Sequence, residues 1–306
     1  MMNILILGAG AMGSLYGALM SKAGYDIIIY DIDEEKVRAI EKNGIQITGL
    51  ERFTSHPKAT TTLPSQIPDF IFVFTKSYST EDALNLAKNL IASKTVLVSL
   101  QNGLGNEEVA KKYTDKVIGG VTTYAAILEK PGTVRWTGKG ITVIGGYPTG
   151  IPNYVYTLER ILGNAGFNIH VTDNIVGWKW LKAIVNSAIN PIGALLGVTN
   201  GFILTAEILR KLAIDIVKEG SEIAIKQGIK LPDKPVEMLV ETLENTKSNY
   251  NSMFQDLLKC GKTEIDYING KIVEAASDLG LNAPFNKVLW YLVKGAELKC
   301  SKTTDK

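Results

Sequence analysis

Lys182, Asn186 and Asn190 follow one another at intervals of four in a segment whose other residues are almost all apolar. A helix would set the three along one face. A solvated helix face is normally filled with Glu, Lys and Gln, whereas asparagine is a poor helix former with a short amide. Two asparagines in line with one lysine therefore suggest directed hydrogen bonding, a plain polar stripe being the alternative. A lysine ammonium held this way can stabilise and then protonate an oxyanion.

A second group with chemistry in it is Gly8-Ala9-Gly10-Ala11-Met12-Gly13, a G-x-G-x-x-G pattern between a strand-like run and a helix-like segment. That context suits a dinucleotide pyrophosphate: Gly8 for a tight turn, Gly10 for close backbone approach, Gly13 for helix–strand packing, and a helix N-terminus facing the anion. Asp31 lies 23 positions after Gly8, where a carboxylate accepts hydrogen bonds from the ribose hydroxyls of NAD and repels the 2′-phosphate of NADP. The alternative is that Asp31 and Asp33 only cap the next helix.

Other catalytic arrangements find little material. The two histidines, His56 and His170, fall in a loop-like and a short strand-like segment. Tyr267 and Lys271 have Y-x-x-x-K spacing, but the glycine pattern of short-chain dehydrogenases is spaced differently from this one. Cys260 and Cys300, 40 positions apart, offer neither a disulfide framework nor metal-ligand spacing, so no metal is expected and a reducing, cytoplasmic setting is the default.

The elements that must position these groups follow from hydrophobic period. Ile4–Leu7 is strand-like, and Met12, Leu15, Tyr16, Leu19 and Met20 form a helical stripe ended by Gly24. Further strand runs at residues 27–30, 70–74, 96–100 and 117–121 alternate with helical segments. One of these, 80–91, carries a capping-box spacing at Ser79 and Asp82. This is the rhythm of a parallel α/β sheet. Residues 133–144 read as antiparallel strands finishing that sheet, followed by a helix at 153–164 and a strand at 168–171; beyond about Asp173 the period is helical, with a fraying polar tail from Cys300. The predicted fold is a Rossmann-type doubly wound α/β domain over residues 1–172, followed by an all-helical domain over 173–306.

Composition supports this. The chain has 306 residues, 45% hydrophobic and 21% charged, with a net charge of +2, which fits a two-domain globular protein and excludes disorder or a strongly basic nucleic-acid binder. The uncharged stretch from Ile4 to Met20 lacks preceding basic residues and is interrupted by glycines, so neither a targeting nor a transmembrane segment is expected.

Together these segments resemble the ketopantoate reductase family nearly end to end. The resemblance rests on the glycine fingerprint, Phe74-Thr75-Lys76, Gln101-Asn102-Gly103, the Lys182 helix ending in Asn190-Pro191, Asn200-Gly201, Ser252-Met253-Phe254-Gln255-Asp256 and Thr263-Glu264-Ile265-Asp266-Tyr267-Ile268-Asn269-Gly270. It implies reduction of 2-dehydropantoate (ketopantoate) to (R)-pantoate in pantothenate and coenzyme A synthesis. It further implies Lys182 as proton donor, with Glu264 orienting substrate and lysine and reaching the cofactor. Asn186, Asn190, Asn200 and Ser252 would hold the substrate's hydroxyl and carboxylate, and Asn102 would sit between nicotinamide and substrate. Gly8 to Gly13, Asp31, Lys76 and the backbone at Ala126 would contact the cofactor. NADPH is the common family cofactor, and NADPH-using members carry a basic residue where this chain has Asp31, so NADH is favoured here. The expected partner is the small-molecule substrate, with no nucleic acid and no membrane; a homodimer is allowed.

On physical grounds, Lys182 with an ordinary pKa of about 10.4 would be charged at neutral pH. Thr263 and Asp266 make a capping pattern that would put Glu264 in a first helical turn, and Ser252 with Gln255 has capping-box spacing. Two other readings remain open: a related dehydrogenase acting on another 2-oxo acid, and a dinucleotide-sensing regulatory protein without chemistry, which would be expected to lose Lys182.

Overall fold

The computed structural model describes residues 2–304. The chain divides into two compact units, Met1–Gln101 with Asn106–Val176, and Asn102–Gly105 with Gly177–Lys306. The first unit runs β1 (Asn3–Leu7), α1 (Ala11–Lys22), β2 (Asp26–Tyr30), α2 (Glu34–Asn43), β3 (Ile45–Gly49), β4 (Phe53–Ser55), β5 (Lys58–Thr60), β6 (Phe70–Val73) and α3 (Thr80–Ala87). It continues through β7 (Val96–Ser99), α4 (Asn106–Lys111), β8 (Val117–Thr122), β9 (Ala125–Lys130), β10 (Thr133–Gly138), β11 (Thr142–Gly146), α5 (Asn153–Asn164) and β12 (Ile169–Val171). From there the chain is helical: α6 (Ile175–Leu196), α7 (Asn200–Thr205), α8 (Glu207–Lys226), α9 (Pro235–Asn245), α10 (Ser252–Leu258), α11 (Asn269–Asp278) and α12 (Pro284–Thr304). The expected architecture, an α/β sheet unit followed by a helical one, is the one observed.

The main sheet has the order β12-β11-β8-β7-β6-β1-β2-β5, parallel except where β11 meets β8. Alternate residues of β1 enter two different cores. Ile4 and Ile6 pack with Leu15 of α1 and Leu158 of α5, while Leu5 and Leu7 pack with Leu84 of α3 and Ala110 of α4. Helices on both faces are why these strands read as continuous apolar runs. Because β1 pairs with β2 on one side and β6 on the other, the loops leaving β1 and β6 diverge at their carboxyl ends, where a doubly wound sheet binds its ligands.

Residues 133–144 do not all finish the main sheet. β11 does, but β10 belongs to a second sheet of order β4-β3-β10-β9, parallel to β3 and antiparallel to β9. The difference is visible in burial: every residue of β11 is buried, whereas Val134 and Trp136 of β10 are buried and Arg135 is exposed. One-sided alternation belongs to a sheet with one wet face. The apolar residues of that sheet, Ile45, Ile47, Val134 and Trp136, join the core that holds Leu15 and Leu19 of α1.

Two local expectations are corrected. Ser79 does not cap α3, because a 3-10 turn at Ser77–Ser79 runs directly into the helix and already supplies the preceding carbonyls. The segment from Cys300 is helical through Thr304, the Cys300 thiol donating to the Leu257 carbonyl at 3.5 Å; residues 305–306 lie outside the described residues. In the helical unit, Ala194, Met253, Ile265, Ile268 and Val293 form a core that joins α6, α10, the turn at 265–267 and α12. Among the described residues no helix is long and apolar enough to cross a membrane.

Candidate active site

In the first unit, the glycine loop leaves β1 and turns into α1. Gly8 has φ +108°, a conformation L side chains rarely adopt, and its N–H donates to the Tyr30 carbonyl of β2 at 2.8 Å. A Cβ on Gly13 would overlap the Gly8 carbonyl oxygen and stand 3.2 Å from Phe74 Cβ, so this glycine lets α1 start close against the ends of β1 and β6; Gly17, whose Cβ would stand 2.7 Å from Ile29 Cδ1, keeps the next turn close to the sheet. Gly10 differs from both. Nothing lies within 4 Å of where its Cβ would be, and it precedes the first turn of α1, whose N–H groups find no carbonyl within the helix. Open space over backbone donors at a helix N-terminus is what a pyrophosphate needs, and the residues present fit that group.

Asp31 follows β2 and is not the helix cap. Asp33 caps α2, accepting from the N–H of Glu35 at 3.0 Å and of Lys36 at 3.3 Å. Asp31 instead ties the glycine loop to β2: its Oδ2 accepts from the Ala9 N–H at 2.6 Å and its Oδ1 from the Asp33 N–H at 2.9 Å. Lys36 Nζ stands 3.5 Å from that Oδ1. Lys76, half-buried, follows β6 just before the 3-10 turn. Ala126 lies on β9 in the second sheet, paired with Trp136.

In the second unit, Lys182 and Asn186 of α6 are half-buried and Asn190 is buried. The Lys182 ammonium does not keep its ordinary pKa. Burial, and then the neighbouring charge of Lys179, lower it to about 8, while Glu264 pulls it upward. Lys179, which the sequence reading passed over, is itself 95% buried at 5% exposure, one helical turn before Lys182. A second lysine among Trp178 and Trp180 was the available signal.

Glu264 is buried beside Lys182, but not as a first-turn residue of a helix. It precedes the single 3-10 turn Ile265–Tyr267, separated from α11 by Ile268, so helix-dipole support is not what holds it. Nor does Asp266 complete a cap: its carboxylate accepts from Trp290 Nε1 at 2.6 Å and Lys294 Nζ at 3.0 Å. Thr263 is held from α12, donating through both its N–H and its hydroxyl to Glu297. Tyr267 also fastens the Asn102 segment: the Leu104 N–H donates to the Tyr267 carbonyl at 2.8 Å, and Gly103, with φ +78°, passes so close that a Cβ would meet that oxygen at 2.7 Å.

Two further candidate residues have local roles the spacing did not reveal. Ser252 is exposed at the start of α10, whose cap is Asn251, accepting from the Phe254 N–H at 2.9 Å; Gln255 reaches the Tyr250 carbonyl and takes no part. Asn200 is buried and donates through Nδ2 to Thr246 Oγ1 at 2.8 Å, leaving its Oδ1 buried with no hydrogen-bond partner. An uncompensated buried acceptor of this kind is costly in a folded protein and marks a position where a ligand hydroxyl or water would be received.

Known proteins share the sequence pattern and fold of this chain. The ketopantoate reductase PanE/ApbA family model matches residues 4–149, and the model of its C-terminal domain matches residues 174–297. A 2-dehydropantoate 2-reductase of Pyrococcus horikoshii is 50% identical over 296 residues, covering 97% of this chain and 98% of the relative, and one of Archaeoglobus fulgidus is 36% identical over 96% of this chain and 98% of the relative. Among solved structures, a ternary complex of D-mandelate dehydrogenase with NADH and anilino(oxo)acetate superposes with a TM-score of 0.91 at 29% identity, covering 98% of this chain and all of that one. A PanE/ApbA family ketopantoate reductase from Ralstonia eutropha superposes at 0.90 with 31% identity, with the same coverage. With a family model over each of its two parts and a half-identical relative along nearly its whole length, the chain belongs to the ketopantoate reductase family.

Proposed function

We propose that this protein is a cytoplasmic 2-dehydropantoate 2-reductase that reduces ketopantoate to (R)-pantoate with a nicotinamide dinucleotide. The observation that carries the reading is Lys182, half-buried on α6 with its pKa brought to about 8 beside the buried carboxylate of Glu264, in a chain of this family. When bound, the nicotinamide supplies the hydride to C2. The Lys182 ammonium donates a hydrogen bond to the C2 oxygen and passes its proton to the alkoxide, a transfer suited to an acid whose pKa lies near the working pH. Glu264 keeps that ammonium charged and aimed.

Asn186, Asn190 and Ser252 hold the substrate through its carboxylate and hydroxyl. Asn200, whose amide nitrogen is engaged with Thr246 while its Oδ1 is open, accepts from the 4-hydroxyl. Asn102 orients the nicotinamide against the substrate, and Gly8 to Gly13, Lys76 and Ala126 hold the rest of the cofactor.

NADH is the favoured form. Each Asp31 oxygen accepts one backbone N–H and retains a lone pair for a ribose hydroxyl, whereas a 2′-phosphate would meet like charge. Lys36, near the same carboxylate, softens that repulsion without removing it.

A second reading, reduction of another 2-oxo acid, is favoured by the likeness to D-mandelate dehydrogenase. Steady-state kinetics with ketopantoate, benzoylformate and aliphatic 2-oxo acids, each with NADH and NADPH, separates the two. The highest kcat/KM on ketopantoate is expected; a clear preference for an aromatic oxo acid would overturn the proposal.

A further inference from the structure

Pro191 sits inside α6 directly after Asn190. Proline has no N–H, and its ring crowds the carbonyl four residues back, so the Ser187 carbonyl is denied its helical donor, and a proline so placed in a helix interior is the usual cause of a bend there. That carbonyl is not left bare. Asn269 Nδ2, on the first turn of α11, donates to it at 2.9 Å. Asn269 is fully buried, and the same amide donates to Asn286 Oδ1 at 3.0 Å, so both of its hydrogens meet acceptors and its orientation is determined.

The chain of bonds continues outward. Asn286, also fully buried, donates through Nδ2 to Glu219 Oε1 at 2.8 Å. The Glu219 carboxylate in turn accepts the backbone N–H groups of Phe285 at 3.0 Å and Asn286 at 2.8 Å, satisfying the N-terminus of α12 from α8. Four helices thus meet in one buried polar chain that ends on the Ser187 carbonyl of α6. Two residues on, Asn251 Nδ2 donates to the Ile189 carbonyl at 3.2 Å, and Gly193 leaves room for it, since a Cβ there would overlap that amide.

We propose that Asn269 is a positioning residue for substrate binding: by accepting the role of the donor that Pro191 lacks, and being held itself by Asn286 and Glu219, it sets the bend that fixes Asn190 relative to Asn186 and Lys182. This rests on the functional reading given above for α6. Asn269 Oδ1 is buried without a hydrogen-bond partner, so the amide is held through its two donated bonds, and losing either would be costly in this buried setting.

The test compares Asn269→Leu with the double variant Asn269→Leu/Pro191→Ala, in which residue 191 regains an N–H for the Ser187 carbonyl and α6 can straighten. In Asn269→Leu, KM for the oxo acid is expected to rise about 10-fold or more with kcat changed less than about 3-fold, with NADH affinity and the alkaline limb of the kcat profile unmoved. In the double variant, thermal stability is expected to recover while KM stays high, because the lost bond is replaced but the bend is not. If KM recovers together with stability, or if folded Asn269→Leu binds substrate normally, Asn269 only satisfies a carbonyl and the proposal fails. Should Asn269→Leu not fold, the double variant and Glu219→Gln, expected to raise KM about 3-fold, carry the same comparison. Failure of the functional reading is seen separately, in the unmodified protein: no turnover of ketopantoate, or a Lys182→Ala variant as active as the parent.

Discussion

Lys179 and Lys182 stand one helical turn apart on α6, and after burial it is the charge of the first that brings the pKa of the second down to about 8, against the pull of Glu264. A lysine so placed is still mostly protonated at neutral pH but gives up its proton far more readily than a free amine. Since the protonated form is the one that serves the alkoxide, kcat is expected to fall as pH rises through about 8. Lys179→Met, which keeps the buried stem and removes the charge, should move that limb to higher pH. A limb unchanged in this variant would show that Lys179 does not tune Lys182.

Removing the ammonium itself should be more drastic. Lys182→Ala is expected to lower kcat by about two orders of magnitude or more while nicotinamide binding, followed by fluorescence titration, survives. Near-normal turnover would mean that another group delivers the proton.

Glu264 and Asp266 are two residues apart and should fail differently. Glu264→Gln is expected to reduce kcat/KM at least 10-fold and to shift the alkaline limb downward, because it removes the charge that raises the Lys182 pKa. Asp266→Ala breaks bonds to Trp290 and Lys294 and should cost about 1–3 kcal/mol of stability with little kinetic change in the folded fraction. Equal kinetic damage from both would place the effect in the turn and not in the Glu264 carboxylate.

Asn200 predicts a substrate discrimination. If its buried Oδ1 receives the 4-hydroxyl, 3,3-dimethyl-2-oxobutanoate, which lacks that group, should show a kcat/KM about 10- to 100-fold below ketopantoate. Asn200→Ala should narrow the gap between the two substrates. Equal discrimination in parent and variant would remove Asn200 from that role.

Cofactor preference can be read on the unmodified enzyme, where NADH is expected to give the higher kcat/KM by about 5-fold or more. Because Asp31 also holds the Ala9 N–H, Asp31→Arg should weaken binding of both cofactors as well as shift the ratio toward NADPH. A parent enzyme preferring NADPH would mean that Asp31 serves only to anchor the loop.

What could be read along the chain was whatever is local in sequence. The glycine loop, the apolar strand runs and the Lys182–Asn186–Asn190 line are patterns within ten residues or so, and periodicity alone turns them into a turn, a buried strand and a helix face. The second sheet is not legible in that way because its two local hairpins, β3–β4 and β9–β10, become one sheet only where β3 pairs with β10 across distant parts of the chain, as in the register of Thr133 with Gln46. Capping spacings at Ser79 and Ser252 misled for a related reason: each had a competitor, a preceding 3-10 turn or Asn251, and which one wins depends on packing; Thr263 does accept the Ile265 N–H at 3.2 Å, but Asp266 is drawn away to Trp290 and Lys294.

The chemistry divides in the same way. Residue type could nominate Lys182 as an acid and Asp31 as a ribose partner. The depressed pKa of Lys182 comes from burial, Lys179 and Glu264, and Glu264 lies 82 positions away in the chain. The fate of the Ser187 carbonyl likewise depends on Asn269, brought to it from α11. Electrostatic and hydrogen-bond energies depend on distance in space and on exclusion of water, and neither quantity is written in the spacing of residues along a chain.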